Sequence, residues 1–411
     1  MSGTFRSLRH HNYRVWASGA IVSNVGTWMQ RTAQDWLVLA DLTDHKAGAV
    51  GIVIGLQFAP QLLLLPFTGY AADNFDRRKL LLVTQVVMGV LAFGLGLLVV
   101  TGAVRLWLVD IFAFLLGCAS AFDAPARQTF VSELVDEGDL GNAVALNSTS
   151  FNAGRLIGPA AAGVLIAAVG SGPVFLINAA SYIPVIGSLM LIRRSEIRVT
   201  ERGGGAPGGI GEGWRYVMGR PDLVTAMVMM FLIGTFGFNF AIYISTMSLK
   251  IFHRGADGYG FLTSVMAVGS IVGALLSAGR ERPRWNFVMV GLAVFGVGCG
   301  LAALSDNYWL YGFILAIVGV AAQTVSTSIV GLVQLTSDPL MRGRVMALLM
   351  GISLGGTPIG GPIVGWIADR FGPRWAMGVG ASAGVGALIV GLLYLRAAAR
   401  TSEPESLETI A

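Results

Sequence analysis

Runs of about twenty mostly apolar residues recur from one end of the chain to the other, parted by short polar breaks. A helix needs about 20 such residues to cross the hydrocarbon core of a bilayer. The pattern therefore predicts membrane spans over residues 15–39, 48–71, 80–100, 106–125, 142–169, 173–192, 222–247, 258–278, 287–305, 309–333, 345–367 and 375–395. One polar break is long, residues 193–221, with Gly203-Gly204-Gly205-Ala206-Pro207-Gly208-Gly209 at its centre. It predicts a flexible linker and then a short surface helix over about residues 211–218. The chain is thus expected to form a six-helix bundle over 1–193, a cytoplasmic linker over 194–221 and a second six-helix bundle with a short tail over 222–411. The first fourteen residues are polar and basic and run straight into a span with no small-residue cleavage site, so the first span is expected to be retained.

A sequence offset supports the same division. Residues 107–170 match those 202 positions further on at 14 of 64 places, where composition alone would give on the order of 5. The pairs include Gly117 with Gly319, Gly154 with Gly356, Gly158 with Gly360, Gly163 with Gly365 and Gly170 with Gly372. Each half holds an even number of spans, so the two run in the same direction about an axis along the membrane normal. The predicted fold class is an all-α membrane protein of twelve transmembrane helices in two six-helix parallel repeats.

Composition agrees, with 54% hydrophobic and 12% charged residues against about a quarter charged in ordinary soluble domains. A soluble enzyme with one anchor is excluded. Cys118 and Cys299 both fall in apolar spans and only four histidines exist, so no disulfide framework, metal or other cofactor is implied. With the N-terminus inside, 20 basic residues face the cytoplasm and 6 the exterior. Both termini are therefore predicted cytoplasmic. All but three of the 28 basic residues are Arg and Gly is abundant, which suggests a GC-rich bacterium and its inner membrane. The net charge of +5 lies on the anionic leaflet and calls for membrane lipid, not nucleic acid, as partner. A monomer is expected.

Gly69-Tyr70-Ala71-Ala72-Asp73-Asn74-Phe75-Asp76-Arg77-Arg78-Lys79 stands at the inner end of the second span. Gly69 permits close helix contact, Asp73 suits an Arg or the positive end of a neighbouring helix, and the basic run suits that acid or lipid headgroups. A plain positive-inside anchor is the other reading. A second run, Gly154-Arg155-Leu156-Ile157-Gly158-Pro159, bends a helix and offers a small-residue stripe, with helix packing alone as its alternative. The first run resembles the G-x-x-x-D-x-x-x-R-R-K signature of the major facilitator superfamily, and the second its G-x-x-x-G-P antiporter signature. The resemblance implies a cytoplasmic gate at Gly69, Asp73, Arg77 and Arg78, a seal between the halves at Gly154, Arg155, Gly158 and Pro159, and a cavity lined by spans one, four, seven and ten. Asp123-Ala124-Pro125-Ala126-Arg127-Gln128, Glu133-Leu134-Val135, Asn142-Ala143 and Gln34-Asp35-Trp36 are similar to the branch of bacterial drug and siderophore exporters that contains the enterobactin exporter. Drug/proton antiporters of a neighbouring branch carry an Arg early in span four. Here that helix offers Asp110, so their proton relay does not transfer.

Span one is the most polar. Asn24, Trp28, Arg31 and Asp35 share a helical face flanked by Thr27, Gln30 and Gln34, with Val22, Val25, Met29, Ala33 and Trp36 opposite. A charge in hydrocarbon costs at least about 2.5 kcal/mol, so these residues are expected to face a cavity or a partner. In one reading Asp35 takes up a proton and releases Arg31. In the other the two form a static ion pair near the interface. Arg155 is open between binding an anionic substrate group and contacting span one. In the second half Phe236, Asn239, Tyr243, Gln323 and Met350 are cavity candidates suited to bulky amphipathic compounds, with ordinary helix packing as the alternative for each.

No G-x-x-x-x-G-K-[ST] loop is present, so ATP is not expected as the direct energy source. The expected function is a secondary active transporter, a proton-coupled exporter of amphipathic small molecules such as drugs, siderophore-like compounds or other metabolites, working by alternating access. An importer or facilitator of a small metabolite and a non-transporting membrane receptor are the alternatives. No catalytic cluster argues for an enzyme.

Overall fold

The computed structural model describes residues 3–198, 210–278 and 284–402. Among these the regular structure is helical and no strand occurs. The first span, α1, comprises His11–Trp36 and a π-helical continuation, Leu37–Leu42. The next, α2, is Ala47–Leu63 and Leu65–Asn74, broken at Leu64 because Pro66 has no N–H to continue the ladder. Then follow α3 (Arg77–Val100), α4 (Leu106–Glu133), α5 (Glu137–Val169) and α6 (Ser171–Leu191). A short helix, Ile210–Met218, precedes the second set. The glycine-rich centre of the linker lies outside the described residues. The second set is α7 (Pro221–Ile251), α8 (Ala256–Ala278), α9 (Trp285–Leu304), α10 (Tyr308–Thr336), α11 (Arg342–Phe371) and α12 (Pro373–Ser402).

By length and composition ten of these helices suffice to cross a membrane. The two that fall short are α1, with its polar face, and the broken α2. Several helices outrun the predicted spans: α4 continues to Glu133 and α11 begins at Arg342. Hydropathy marks only the part in hydrocarbon, whereas the backbone ladder continues into the polar ends.

Within the first half α1 packs on α5 and α6, α3 on α4 and α6, and α2 on α4. In the second, α8 packs on α10, α9 on α10 and α12, and α7 on α11 and α12. The repeat is visible in the backbone: Gly170 and Gly372, 202 residues apart, end α5 and α11 with φ of +82° and +101°, where a side chain would be strained.

Two helix pairs join the halves, α2 with α11 and α5 with α8. The repeat exchanges one pair for the other, and both use glycine for backbone approach. A Cβ on Gly163 would stand 2.6 Å from the Ala256 carbonyl, and one on Gly365 2.5 Å from that of Ala47. These contacts run from the end opposite the chain termini to about mid-depth, where Ser264 Oγ donates to the Leu156 carbonyl at 2.7 Å and Gly355 meets Leu62. The bundle is thus sealed at its far end.

Candidate functional site

Beneath the seal lies a cavity of about 640 Å³ lined by both halves. The first half supplies Trp28, Arg31 and Asp35 of α1, Gln57 and Phe58 of α2, and Phe151, Arg155 and Pro159 of α5. The second supplies the break in α7, Tyr259 of α8, Gln323 of α10 and Thr357 of α11. No described lining residue belongs to α4, although the superfamily resemblance implied one. Asp123 and Arg127 of α4 turn elsewhere: Asp123 accepts from Thr84 Oγ1 at 2.8 Å, Gln85 Nε2 at 2.7 Å and Arg127 Nε at 3.0 Å.

The break in α7 arises where a π-helical turn, Ile233–Gly237, gives way to Phe238 and Asn239, whose backbone leaves the helical region before Phe240 resumes it. Asn239 Nδ2 donates to the Thr235 carbonyl at 2.7 Å and so satisfies a group the broken ladder left free. Phe238, Asn239 and Phe240 consequently face the cavity.

On the opposite wall the Arg31 guanidinium lies 5.0 Å from the Trp28 ring centroid and 5.5 Å from that of Phe58, and the Arg155 guanidinium lies 6.0 Å from Trp28. The pairing of Arg31 with Asp35 considered from sequence is not formed. Asp35 Oδ2 accepts from the Tyr259 hydroxyl at 3.0 Å, while Arg31 occupies the space between two rings. This hydrogen bond crosses between the halves, and Trp36 stacks on Tyr259 at 6.3 Å beside it.

Other sequence candidates lie outside the described lining because neighbouring helices claim them. Asn24 Nδ2 donates to Ser150 Oγ at 3.0 Å, Gln30 Oε1 accepts from Asn178 Nδ2, and Gln34 is buried in α1. The Tyr243 hydroxyl turns back to the Phe236 carbonyl, and Met350 is half exposed on α11. Lining residues that sequence reasoning passed over are Phe58, Phe151, Phe238, Phe240, Gln57 and Tyr259. Only Gln57, a lone amide in an apolar run, carried a usable signal. In the span-five motif Gly154 and Gly158 meet α1 at Asn24 and Trp28, and Pro159 and Gly163 meet Gly260 of α8.

At the end that carries the termini, Arg77 pairs with Glu133 at 2.6 Å. Arg78 donates to the carbonyls of Leu189 and Met190 at 2.6 and 3.1 Å, and Asp76 caps α3 through the Lys79 N–H at 3.1 Å. Gly69 and Asp73 lie on the second part of α2, and their surroundings are not among those described. At the far end the Asp369 carboxylate of α11 sits on the N-terminus of α2, accepting the N–H groups of Ala47 and Gly48 at 2.7 Å each, with Lys250 Nζ 3.8 Å away. A helix N-terminus carries free N–H groups and a partial positive charge, so the carboxylate satisfies both.

A family model described as transmembrane secretion effector, of the major facilitator superfamily, matches residues 2–410. The chain belongs to this family. A staphyloferrin A transporter of Staphylococcus aureus is 25% identical over 377 residues, 86% of this chain and 89% of that one. The multidrug efflux pump Tap of Mycolicibacterium fortuitum is 24% identical over 377 residues, 86% and 88% of the two chains. Among solved structures, a bacterial homologue of the human lysosomal transporter Spinster, inward-facing and occupied, superimposes with a TM-score of 0.76 at 15% identity, covering 94% of this chain and 97% of that one. This major facilitator protein is therefore a multi-pass membrane transporter, and a small molecule is its substrate.

Proposed function

We propose that the protein is a proton-coupled exporter that carries amphipathic small molecules across a bacterial inner membrane by alternating access. The observation that carries this reading is the hydrogen bond from Tyr259 to Asp35, which ties an ionisable group of one half to the other at the sealed end of the cavity. The surplus of basic residues on the side of the termini supports cytoplasmic termini, so the sealed end is periplasmic and the cavity is open inward. The efflux-pump relative supports the outward direction. The two bundles, 1–193 and 222–411, move as bodies joined by the linker over 194–221, in a monomer surrounded by lipid.

With Asp35 ionised and the cavity empty, the bond to Tyr259 holds the inward-open state, so the carrier does not return unloaded. Cargo between the halves breaks it and turns the cavity outward. Asp35, then parted from Tyr259, takes up a proton from the periplasm. Closure buries Asp35, and burying a neutral carboxyl is far cheaper than burying a carboxylate. Release of the proton to the cytoplasm restores the charge-assisted bond, roughly twice as strong as a neutral one. Arg31 tunes this site through its charge, and Gly69, Asp73, Arg77 and Arg78 form the cytoplasmic gate of the outward-open state.

Uptake of a dye cargo into everted vesicles tests the reading. It should collapse with a proton ionophore, and Asp35→Asn should abolish driven uptake while preserving cargo exchange. Driven uptake at the wild-type rate in Asp35→Asn would remove Asp35 from the coupling step, and binding without flux would favour a receptor.

A further inference from the structure

Arginines that serve the packing of a half meet an acid or backbone carbonyls: Arg127 has Asp123 at 3.0 Å, Arg77 has Glu133 at 2.6 Å, and Arg78 donates to the Leu189 and Met190 carbonyls. Arg31 and Arg155 are different. Both line the cavity, both stand at the Trp28 ring, 5.0 and 6.0 Å from its centroid, and among the described residues neither has a carboxylate within 4.0 Å. Arg31 Nε is buried with no acceptor among the described residues. The one acid in the described lining, Asp35, accepts from Tyr259 instead. Two like charges stand at one aromatic ring, and the described lining carries an excess of one positive charge. A buried donor without an acceptor is costly, and in a cavity wall inside a membrane protein it is a candidate ligand contact. Phe238 and Phe240 stand on the wall that α7 supplies, apolar and stacked at 6.3 Å.

We propose that Arg31 and Arg155 form the recognition site for the anionic group of the cargo, which is an amphipathic organic carboxylate with its apolar body against Phe238 and Phe240. This rests on the transport reading for its biological sense, but the site itself is a binding claim. The indole of Trp28 positions both guanidiniums by cation–π contact, leaving their N–H edges free for a planar anion, which the guanidinium fork matches better than an ammonium would.

Equilibrium dialysis of the full-length protein in phosphatidylcholine nanodiscs tests it with 2-naphthoate, its methyl ester and 2-naphthylmethylamine, which share one ring system and differ in charge. The acid should bind about tenfold or more tighter than the ester or the amine, the scale of a lost charge-assisted hydrogen bond. Arg31→Gln and Arg155→Gln should each remove that preference, with their folding certified by a melting temperature equal to the wild type's. Arg155→Lys should keep the preference for acid over ester. Equal binding of the three probes, preference for the amine, or an acid preference that survives both glutamine variants would overturn the proposal. Loss of acid binding when phosphatidylglycerol replaces part of the phosphatidylcholine would assign the site to a lipid headgroup and overturn it as a cargo site. Flux is read separately in proteoliposomes. Transport of ester or amine as fast as acid would keep the transporter and sink the anion site, whereas arginine-dependent acid binding with no flux of any probe would do the reverse.

Discussion

Tyr259→Phe isolates the tie between the halves. Phenylalanine keeps the ring that stacks on Trp36 at 6.3 Å and removes only the hydroxyl that donates to Asp35 at 3.0 Å. Tyr259 is 1% exposed and Asp35 9%, so water does not replace the bond while the halves are closed. A hydrogen bond to a charged group is worth about 1.5–3 kcal/mol, which corresponds to a shift of about 10- to 150-fold toward the outward-open state. A carrier resting at about 99 to 1 inward-open would move to between about 10 to 1 and an even mixture. Nitroxides at Thr101, after α3, and Leu310, at the start of α10, are both exposed on the sealed face and report the separation by pulsed electron resonance. Cys118 and Cys299 would be replaced in the background. Tyr259→Phe should populate a longer distance. Asp35→Asn should give a smaller shift, because a neutral carboxamide oxygen still accepts. The double variant should match Tyr259→Phe alone, since both changes remove one bond. Distances that superimpose on the wild type, or shifts that add in full, would refute the tie.

Asp369→Asn weakens the cap on α2 by about 0.5–2 kcal/mol and should lengthen the same spin-label distance; an unchanged distribution would show that Asp369 does not hold the seal. Gly163→Ala puts a methyl group into the α5–α8 crossing and should open the far end with little change in melting temperature, whereas Gly117→Ala, against the Gln57 carbonyl inside the first half, should lower the melting temperature instead. Arg127→Gln strands the buried Asp123 and should cost about 3–5 kcal/mol, measured as lost thermal stability, with Asp123→Asn in the same chain restoring most of it.

The fold was legible because a bilayer imposes lengths and the repeat imposes correspondences. The even division, the short helix and the exchange of Gly163 for Gly365 at the two seals follow from apolar runs and a 202-residue offset. The break in α7 was not, since Phe238-Asn239 reads like any apolar stretch with one amide. The cavity was half legible for a similar reason. Polar residues in hydrocarbon announce themselves, so Trp28, Arg31, Asp35, Arg155, Asn239 and Gln323 could be chosen. Periodicity gave the face of α1 but not its neighbours, so Asn24 and Gln30 were drawn in although α5 and α6 hold them. Tyr259 was invisible because its meaning comes from Asp35, 224 residues away.

The seal at Asp369 also reflects on the gate at the other end. Gly365-Trp366-Ile367-Ala368-Asp369-Arg370-Phe371 at the end of α11 repeats Gly69-Tyr70-Ala71-Ala72-Asp73-Asn74-Phe75 at the end of α2, with Gly, Ala, Asp and Phe in the same places. The two helices run in opposite directions, so the run on α11 lies at the N-terminus of α2, and the run on α2 lies on the opposite face of the membrane, the one where α11 begins. Asp369 meets the N-terminus of α2 at the sealed end of this structure. On the proposed transport cycle, the same chemistry would bring Asp73 to the N-terminus of α11 in the outward-open state, when the ends that carry the termini close. One short run would then latch each state in turn, and a carboxylate's attraction for free N–H groups supplies the energy at both ends. The signs must therefore differ. Asp369→Asn should lengthen the distance between labels at Thr101 and Leu310, and Asp73→Asn should remove whatever outward-open fraction the wild type shows. The Tyr259→Phe background, with its enlarged outward-open fraction, makes that loss easy to see. If Asp73→Asn in that background raised the outward-open fraction, as Asp369→Asn does, the two runs would not be opposing latches, and the gate would have to be sought in Arg77 and Arg78 alone.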